Sequence, residues 1–357
     1  MSNIVARNGL HDALELLAEQ AGNDPSALLM VARAMAATRP ERAVEIAKHI
    51  MNMVPGTDLA RAAAMILKDM VPGWHFVIVR DAVRNAAYDQ ALRKAVTPDS
   101  RVLDIGTGTG LLAMMAARAG ARDVFTCEQN AAVTHGAAAV LAANGFADQI
   151  RLIEKHSSQL DCDRDLGGPV DVLVSEIISN DVVGQGCLAV MEQAGRWLKP
   201  NGKIIPQAAT VRVALAWSDA AEARRLGTID GFDLSAFNSL ERAVQQHAIG
   251  DTRLDIRSSV ADLIHFDFRS DGPFRPVDAR TMVISDGRPF NGVLQWLRLD
   301  MDESIVYENR PRAGAKSCWA ALFYPLGQSI EPENGQEVCV AGAHDRASLH
   351  IWVEQQG

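Results

Sequence analysis

The sequence predicts an α/β chain in three parts: a helical N-terminal stretch, a parallel sheet with helices on both faces, and a mostly β C-terminal part. Three observations carry this. Apolar residues recur at three- and four-residue spacing up to about residue 70. From residue 99 to 206, strand-like runs alternate with alanine-rich helical runs. Beyond that, short alternating stretches are separated by Gly, Pro, Asn or Asp.

In the first part, the spacing predicts helices at 11–20, 25–37, 40–53 and 57–70. Breaks fall at Gly22-Asn23-Asp24-Pro25, Arg39-Pro40 and Pro55-Gly56. Prolines just inside the helix starts are normal start signals. Residues 1–72 read as a tetratricopeptide-like helical extension without a clean repeated period. It either packs on the core or serves as a dimerisation or docking module.

A helix then carries Asp81, Arg84 and Tyr88 on roughly one face. Arg84 can clamp a carboxylate through two nitrogens. The alternative is a surface ion pair with Asp81.

The alternating region predicts strands at 101–105, 123–127, 150–154, 170–175 and 202–205. After the first comes Asp104-Ile105-Gly106-Thr107-Gly108-Thr109-Gly110, a tight turn into a helix. Its glycines let a ligand approach the backbone. The G-x-G-x-G spacing departs from the pyrophosphate fingerprint, and Asp104 would repel a pyrophosphate but accept an ammonium group. Glu128 ends the next strand, where an acid accepts from ribose hydroxyls. Together these point to S-adenosylmethionine. Ligands of such Rossmann-like sheets lie beyond the carboxyl ends of the strands, which gathers the loops at 104–110, 128–130, 155–158 and from 176 onward. Lys155, His156 and Ser157 would border the adenine, although His156 alone reads equally as a loop histidine. Glu176 stands at the end of the fourth strand, where it either orients a substrate or is structural.

The 357 residues suit two to three domains, and the net charge of −9 argues against a nucleic-acid partner. Five cysteines, at 127, 162, 187, 318 and 339, form no C-x-x-C pair, so neither a metal site nor a disulfide framework is expected. With no signal pattern and no apolar run of ~18 residues, a cytoplasmic protein without a membrane span is expected.

From about Trp74 to the C-terminus the residues resemble the protein arginine methyltransferases, most of all their monomethylating (type III) branch. The resemblance rests on His75, Asp81, Arg84 and Tyr88, on 102–112, Glu128, Asn144-Gly145-Phe146, Lys155-His156-Ser157 and Ser175-Glu176. It continues through Trp197-Leu198-Lys199-Pro200-Asn201-Gly202, Pro206, Ala209-Thr210-Val211-Arg212-Val213 and Gly231-Phe232-Asp233-Leu234-Ser235. It implies an S-adenosylmethionine methyltransferase core over 73–206 and an antiparallel β-barrel over 207–357. A dimerisation arm would lie near 218–237, and the protein would be a homodimer. By position, Arg84 and His75 would meet the cofactor. Asp104, Gly106, Gly108 and Gly110 would underlie its amino-acid part, and Glu128 would hold its ribose. Glu176 matches the first glutamate of the family's double-glutamate loop, which holds a guanidinium.

Two departures stand out. Where the family has its second glutamate this chain has Gln185, and the family's Thr-His-Trp reads Ser317-Cys318-Trp319. Glutamine turns a charged hydrogen bond into a weaker neutral one. Asp181 inside the loop is either a substitute carboxylate or a turn residue. Trp296 and Trp352 read as core, whereas Trp319 is set apart by its neighbours. The resemblance implies methyl transfer to a guanidino nitrogen of protein-bound or free arginine, once per acceptor. The alternatives are a cofactor- and partner-binding scaffold, which Gln185 and Cys318 favour, and a methyltransferase of another acceptor.

Overall fold

The computed structural model describes residues 2–270 and 272–354. Four helices open the chain: α1 Ser2–Ala21, α2 Pro25–Met35, α3 Pro40–Met53 and α4 Asp58–Asp69. Local chemistry sets their starts. Asp24 caps α2 by accepting from the Ser26 N–H at 2.8 Å, and Thr57 caps α4 by accepting from the Ala60 N–H at 3.2 Å. Their apolar faces form a separate core around Met35, Val44, Ile50 and Ala63. That core reaches Ala131 and Ala132 of the Rossmann-like part.

Helices α5 Trp74–Ile78 and α6 Ala82–Ala95 lead into that part. It comprises β1 Arg101–Ile105, α7 Leu111–Arg118, β2 Asp123–Glu128, α8 Ala131–Ala143, β3 Ile150–Glu154, α9 Cys162–Leu166, β4 Val170–Ser175, α10 Cys187–Met191 and β5 Leu198–Ile205. The strands pair in the order β3-β2-β1-β4-β5, all parallel. The inner strands β1, β2 and β4 are mostly buried, and apolar residues dominate those stretches of the sequence. The order reverses beside β1, so the crevice beyond β1 and β4 is where a ligand fits.

The C-terminal part contains β6 Ala208–Ser218, the one-turn α11 Asp219–Glu222, β7 Thr228–Ile229, β8 Phe232–Asp233, β9 Gln245–His247, β10 Leu254–Ile256 and β11 Ala261–Asp267. It continues with β12 Val277–Asp286, β13 Phe290–Asp300, β14 Val306–Glu308, β15 Ala321–Ile330, β16 Asn334–His344 and β17 Leu349–Val353. One antiparallel sheet runs β10-β6-β13-β15-β9, with β11 on β6 and β14 on β13, and a second runs β12-β16-β17. Buried side chains of this barrel-like part, such as Val211, Leu297 and Trp319, share one core with Leu103 and Val172 of the parallel sheet.

One expectation changes, and two features go beyond what the sequence led us to expect. The segment 218–237 holds the helical turn of α11, then the β7–β8 hairpin and the start of a 3-10 turn over Ser235–Leu240. Asp230-Gly231 makes the turn, with φ of 51° and 82°, the combination a two-residue hairpin loop favours. Trp352 is not core but 38% exposed. On β17 it faces outward with His350, while Leu349 and Ile351 point in. Three-residue strands such as β9, β10 and β14 are too short to show alternation, and the sequence did not reveal them. Among the described residues no helix is long and apolar enough to cross a membrane.

Candidate functional site

A cavity of about 1090 Å³ opens beyond the carboxyl ends of β1 to β4. The barrel residues Val244, Gln246, Leu322 and Tyr324 line its other side. The glycine turn forms the floor. Gly106 has φ of +90°, and a Cβ there would lie 2.7 Å from Ile177 Cγ2, so the loop after Glu176 rests directly on the turn. Glu128 faces the cavity, its carboxylate held by the N–H groups of Gly108 (3.2 Å) and Asn130 (2.9 Å).

Asp104 and Gly110 lie off this wall. Asp104 is fully buried and accepts from Thr126 Oγ1 at 2.9 Å, its other oxygen unpartnered. Burial pushes its carboxyl up to about 7. Gly110 packs beneath Leu141 of α8 at the start of α7.

Arg84 does not make the alternative surface pair with Asp81. Its side chain is 3% exposed, and Nη1 lies 2.9 Å from Glu176 Oε2. Its Nε and Nη2 donate to Asn85 Oδ1 at 3.2 and 2.7 Å. The Glu176 contact is close yet poorly aligned, since Arg84 Nη1 lacks a hydrogen-bond partner; the other oxygen of the carboxylate, Oε1, is unpartnered too. Burial pushes the Glu176 carboxyl up to about 8; Arg84 pulls it down, and the nearby carboxylates Asp104 and Asp81 raise it again. Asp81 instead caps α6, accepting from the Arg84 N–H at 3.0 Å through Oδ1.

The loop after Glu176 is bent by two non-glycine residues in left-handed conformation, Val182 (φ 70°) and Gln185 (φ 56°). Such backbone is costly, and for a β-branched valine it is a true outlier. The surroundings hold it in place. Asp181 accepts from Ser179 Oγ and from the Gly184 N–H, so its carboxylate organises the turn. Gln185 stands exposed at the cavity rim.

The barrel grips the same loop. Trp319 Nε1 donates to the Ile178 carbonyl at 2.7 Å, the Ala320 N–H to Asn180 Oδ1 at 2.9 Å, and Gln295 Nε2 to the Asn180 carbonyl at 2.9 Å. Cys318 lines the cavity half-buried, and burial, with the charge of Glu176 next in weight, pushes its thiol far up. It is therefore a neutral group rather than a thiolate nucleophile.

The remaining predicted residues also line the cavity. His75 is buried, stacks on Trp74 at 3.7 Å, and its Nδ1 lies 3.0 Å from the Pro72 carbonyl. Lys155 turns to Asp165 at 2.6 Å. His156 is exposed, bonding Ser158 through Nδ1, and Ser157 is buried. Among the described residues, no group of three or more His, Cys, Asp or Glu is placed to hold a metal ion.

Sequence reasoning missed Asn180, Gln295, Tyr307 and Ser317. The available signal was a polar residue inside an apolar strand, as Gln295 is in Val293-Leu294-Gln295-Trp296-Leu297, and a buried polar group needs a partner.

Over 298 residues the chain is 37% identical to an arginine N(omega)-methyltransferase of Streptomyces achromogenes subsp. streptozoticus, covering 79% of this chain and 78% of that protein. The chain belongs to the protein arginine methyltransferase family. A protein arginine N-methyltransferase 7 of Oryza sativa subsp. indica is 34% identical over 314 residues, which is 76% of this chain. The chain spans 43% of that rice protein's length. Residues 89–207 match the sequence model of the ribosomal protein L11 methyltransferase family. Among solved structures, the Trypanosoma brucei PRMT1 enzyme–prozyme complex with AdoHcy superposes with a TM-score of 0.69 at 20% identity, covering 80% of this chain and 94% of that one. Arabidopsis thaliana protein arginine methyltransferase 10 gives 0.66 at 19% identity, covering 77% and 89%. These two share the fold of this chain.

Proposed function

We propose that this protein transfers one methyl group from S-adenosylmethionine to a guanidino nitrogen of arginine. The observation that carries the reading is Glu176. It is a buried carboxylate on the cavity wall with one oxygen unpartnered, fixed beside a glycine turn that leaves the backbone open. An unpartnered buried carboxylate oxygen is costly until a donor arrives, and a guanidinium supplies that donor with matching charge.

The residues present fit the cofactor. A Cβ on Gly108 would find its nearest side-chain atom 3.9 Å away, and Glu128 faces the cavity beside it. Arg84 Nη1 meets only Glu176, without an aligned hydrogen bond, so the cofactor carboxylate can replace that contact. When bound, S-adenosylmethionine supplies an already activated methyl group. The protein's own task is positioning and charge. Glu176 holds the guanidinium, the clamped loop fixes its direction, and the barrel wall limits water. Gln185 at the rim offers a neutral contact instead of a second carboxylate, which supports an acceptor held with less charge; transfer of a single methyl rests on the resemblance to the monomethylating branch.

The acceptor is arginine, either free or in a protein. The name of the Streptomyces relative supports the free amino acid, and the names of the rice and other relatives support the protein. We further read segment 218–237 as a homodimer arm, supported by the exposure of Phe232 and Phe237 at 72% and 64%. We place the protein in the cytoplasm, supported by five unpaired thiols.

The test is transfer of labelled methyl from S-adenosylmethionine to free arginine and to an arginine-rich peptide, offered side by side. Label on a guanidino nitrogen of either supports the reading and names the acceptor; label on neither, with cofactor bound, overturns it. The rate at low acceptor is expected to rise with pH through about 8, because only ionised Glu176 pairs with a guanidinium. A flat profile between pH 6 and 9 would contradict this role. The linked stability effect has the opposite sign. With its folded value raised above the ordinary 4.5, protonated Glu176 stabilises the ligand-free fold fully below that ordinary value, and this is lost as pH rises through about 8. Thermal unfolding across that window reads it.

A further inference from the structure

Tyr307 lies on β14, outside the cavity wall, and is 2% exposed. Its ring packs on Trp319 at 5.5 Å between centroids. Its hydroxyl donates to Asp81 Oδ2 at 2.7 Å and lies 2.7 Å from Ser317 Oγ. The Trp319 N–H in turn lies 3.0 Å from Ser317 Oγ. With the carboxylate as acceptor only, the donors can run one way: Trp319 N–H to Ser317 Oγ, Ser317 Oγ–H to Tyr307, Tyr307 O–H to Asp81. Each bond in such a buried chain strengthens its neighbour. Asp81 Oδ2 also accepts from the Cys318 N–H at 3.0 Å.

The far side of Asp81 gives this chain its consequence. Oδ1 caps α6 at the N–H of Arg84, whose guanidinium faces the cavity. At the other end, Trp319 holds the loop that follows Glu176. The Tyr307 hydroxyl and the Cys318 N–H thus both tie the barrel segment 317–319 to the helix turn that carries Arg84. Burial alone would raise the Asp81 carboxyl, yet the Arg84 N–H and the Tyr307 hydroxyl lead the bonds that hold it below the usual range, as a charged anchor.

We propose that Tyr307 is a positioning residue: through Asp81 it sets Arg84 for the carboxylate end of the cofactor and couples that end to the acceptor loop. The inference rests on the reading of Arg84 as the group that meets the cofactor carboxylate. Tyr307→Phe removes the hydroxyl and keeps the buried ring. Asp81 retains its bonds to the Arg84 and Cys318 N–H groups, so the helix cap survives.

The experiment is calorimetric binding of two ligands to the full chain, wild type and Y307F. S-Adenosylhomocysteine has the amino-acid carboxylate, and methylthioadenosine keeps the nucleoside and thioether but lacks it. Y307F is expected to bind S-adenosylhomocysteine about tenfold more weakly and methylthioadenosine equally well, as expected for a lost hydrogen bond to a charged group acting at one end of the ligand. Equal weakening of both ligands indicates general loosening and overturns the proposal, as does no weakening of either. Ser317→Ala cuts the same chain one link earlier. It is read in the same way should Y307F fail to fold, with a selective loss of about threefold expected. Wild type that binds both ligands but methylates no arginine overturns the proposed function and leaves this inference to its own test. Wild type that binds neither overturns both.

Discussion

Glu176→Gln is expected to slow methyl transfer about a thousandfold, the upper end for removing one preorganised charge contact. The amide keeps the shape of the side chain. It loses the charge that holds a guanidinium and that stabilises the cation until it gives up its proton. The structure adds a second expectation of opposite direction. In the ligand-free protein Arg84 Nη1 lies 2.9 Å from Glu176, so the carboxylate occupies the group assigned to the cofactor. Removing that charge releases Arg84, and S-adenosylhomocysteine should bind the variant more tightly than wild type. Single-turnover transfer and calorimetry separate the two effects. Turnover within tenfold of wild type would mean that another group holds the acceptor. Gln185 is then the first to test, by Q185E.

Legibility followed the range of the interactions. The parallel sheet was readable because short apolar-rich runs alternate with helical ones, and β1, β3 and β4 fall where those runs fall. The glycine turn was readable because its φ values of +90° at Gly106 and +51° at Gly108 strongly favour glycine. Arg84 was placed on its helix face by spacing, but its partner was not Asp81. Its partner Glu176 lies beyond β4, and no local period reports a contact of that separation. The hairpin within 218–237 has a local signal, Asp-Gly at 230–231. The grip of the barrel on the acceptor loop left only a glutamine inside an apolar strand as its mark, because the pairing of Gln295 with Asn180 exists only once β13 and that loop meet.

That grip predicts the second large effect. Trp319 is 4% exposed, and its indole N–H is the hydrogen-bond donor to the Ile178 carbonyl. Asn309 fixes its backbone, donating from Nδ2 to the Trp319 carbonyl at 3.3 Å while Oδ1 accepts from the Leu297 N–H at 2.7 Å. Trp319→Ala should lower stability by about 3–5 kcal/mol through the cavity it leaves. Trp319→Phe is the sharper probe. It keeps an aromatic ring against Tyr307 but leaves a buried carbonyl unpaired, which costs about 1–3 kcal/mol. The strained backbone at Val182 and Gln185 persists only while its surroundings hold it, so the loop is expected to relax once the donor is gone. Turnover should then fall about a hundredfold, in proportion to a lost positioning contact, while S-adenosylhomocysteine binding stays within about threefold. The contrast separates the clamp from simple packing. If W319F loses stability but keeps its turnover, Trp319 is a core residue and the loop is held by Asn180 and Gln295. If turnover falls with cofactor binding intact, the barrel positions the acceptor through a single indole nitrogen.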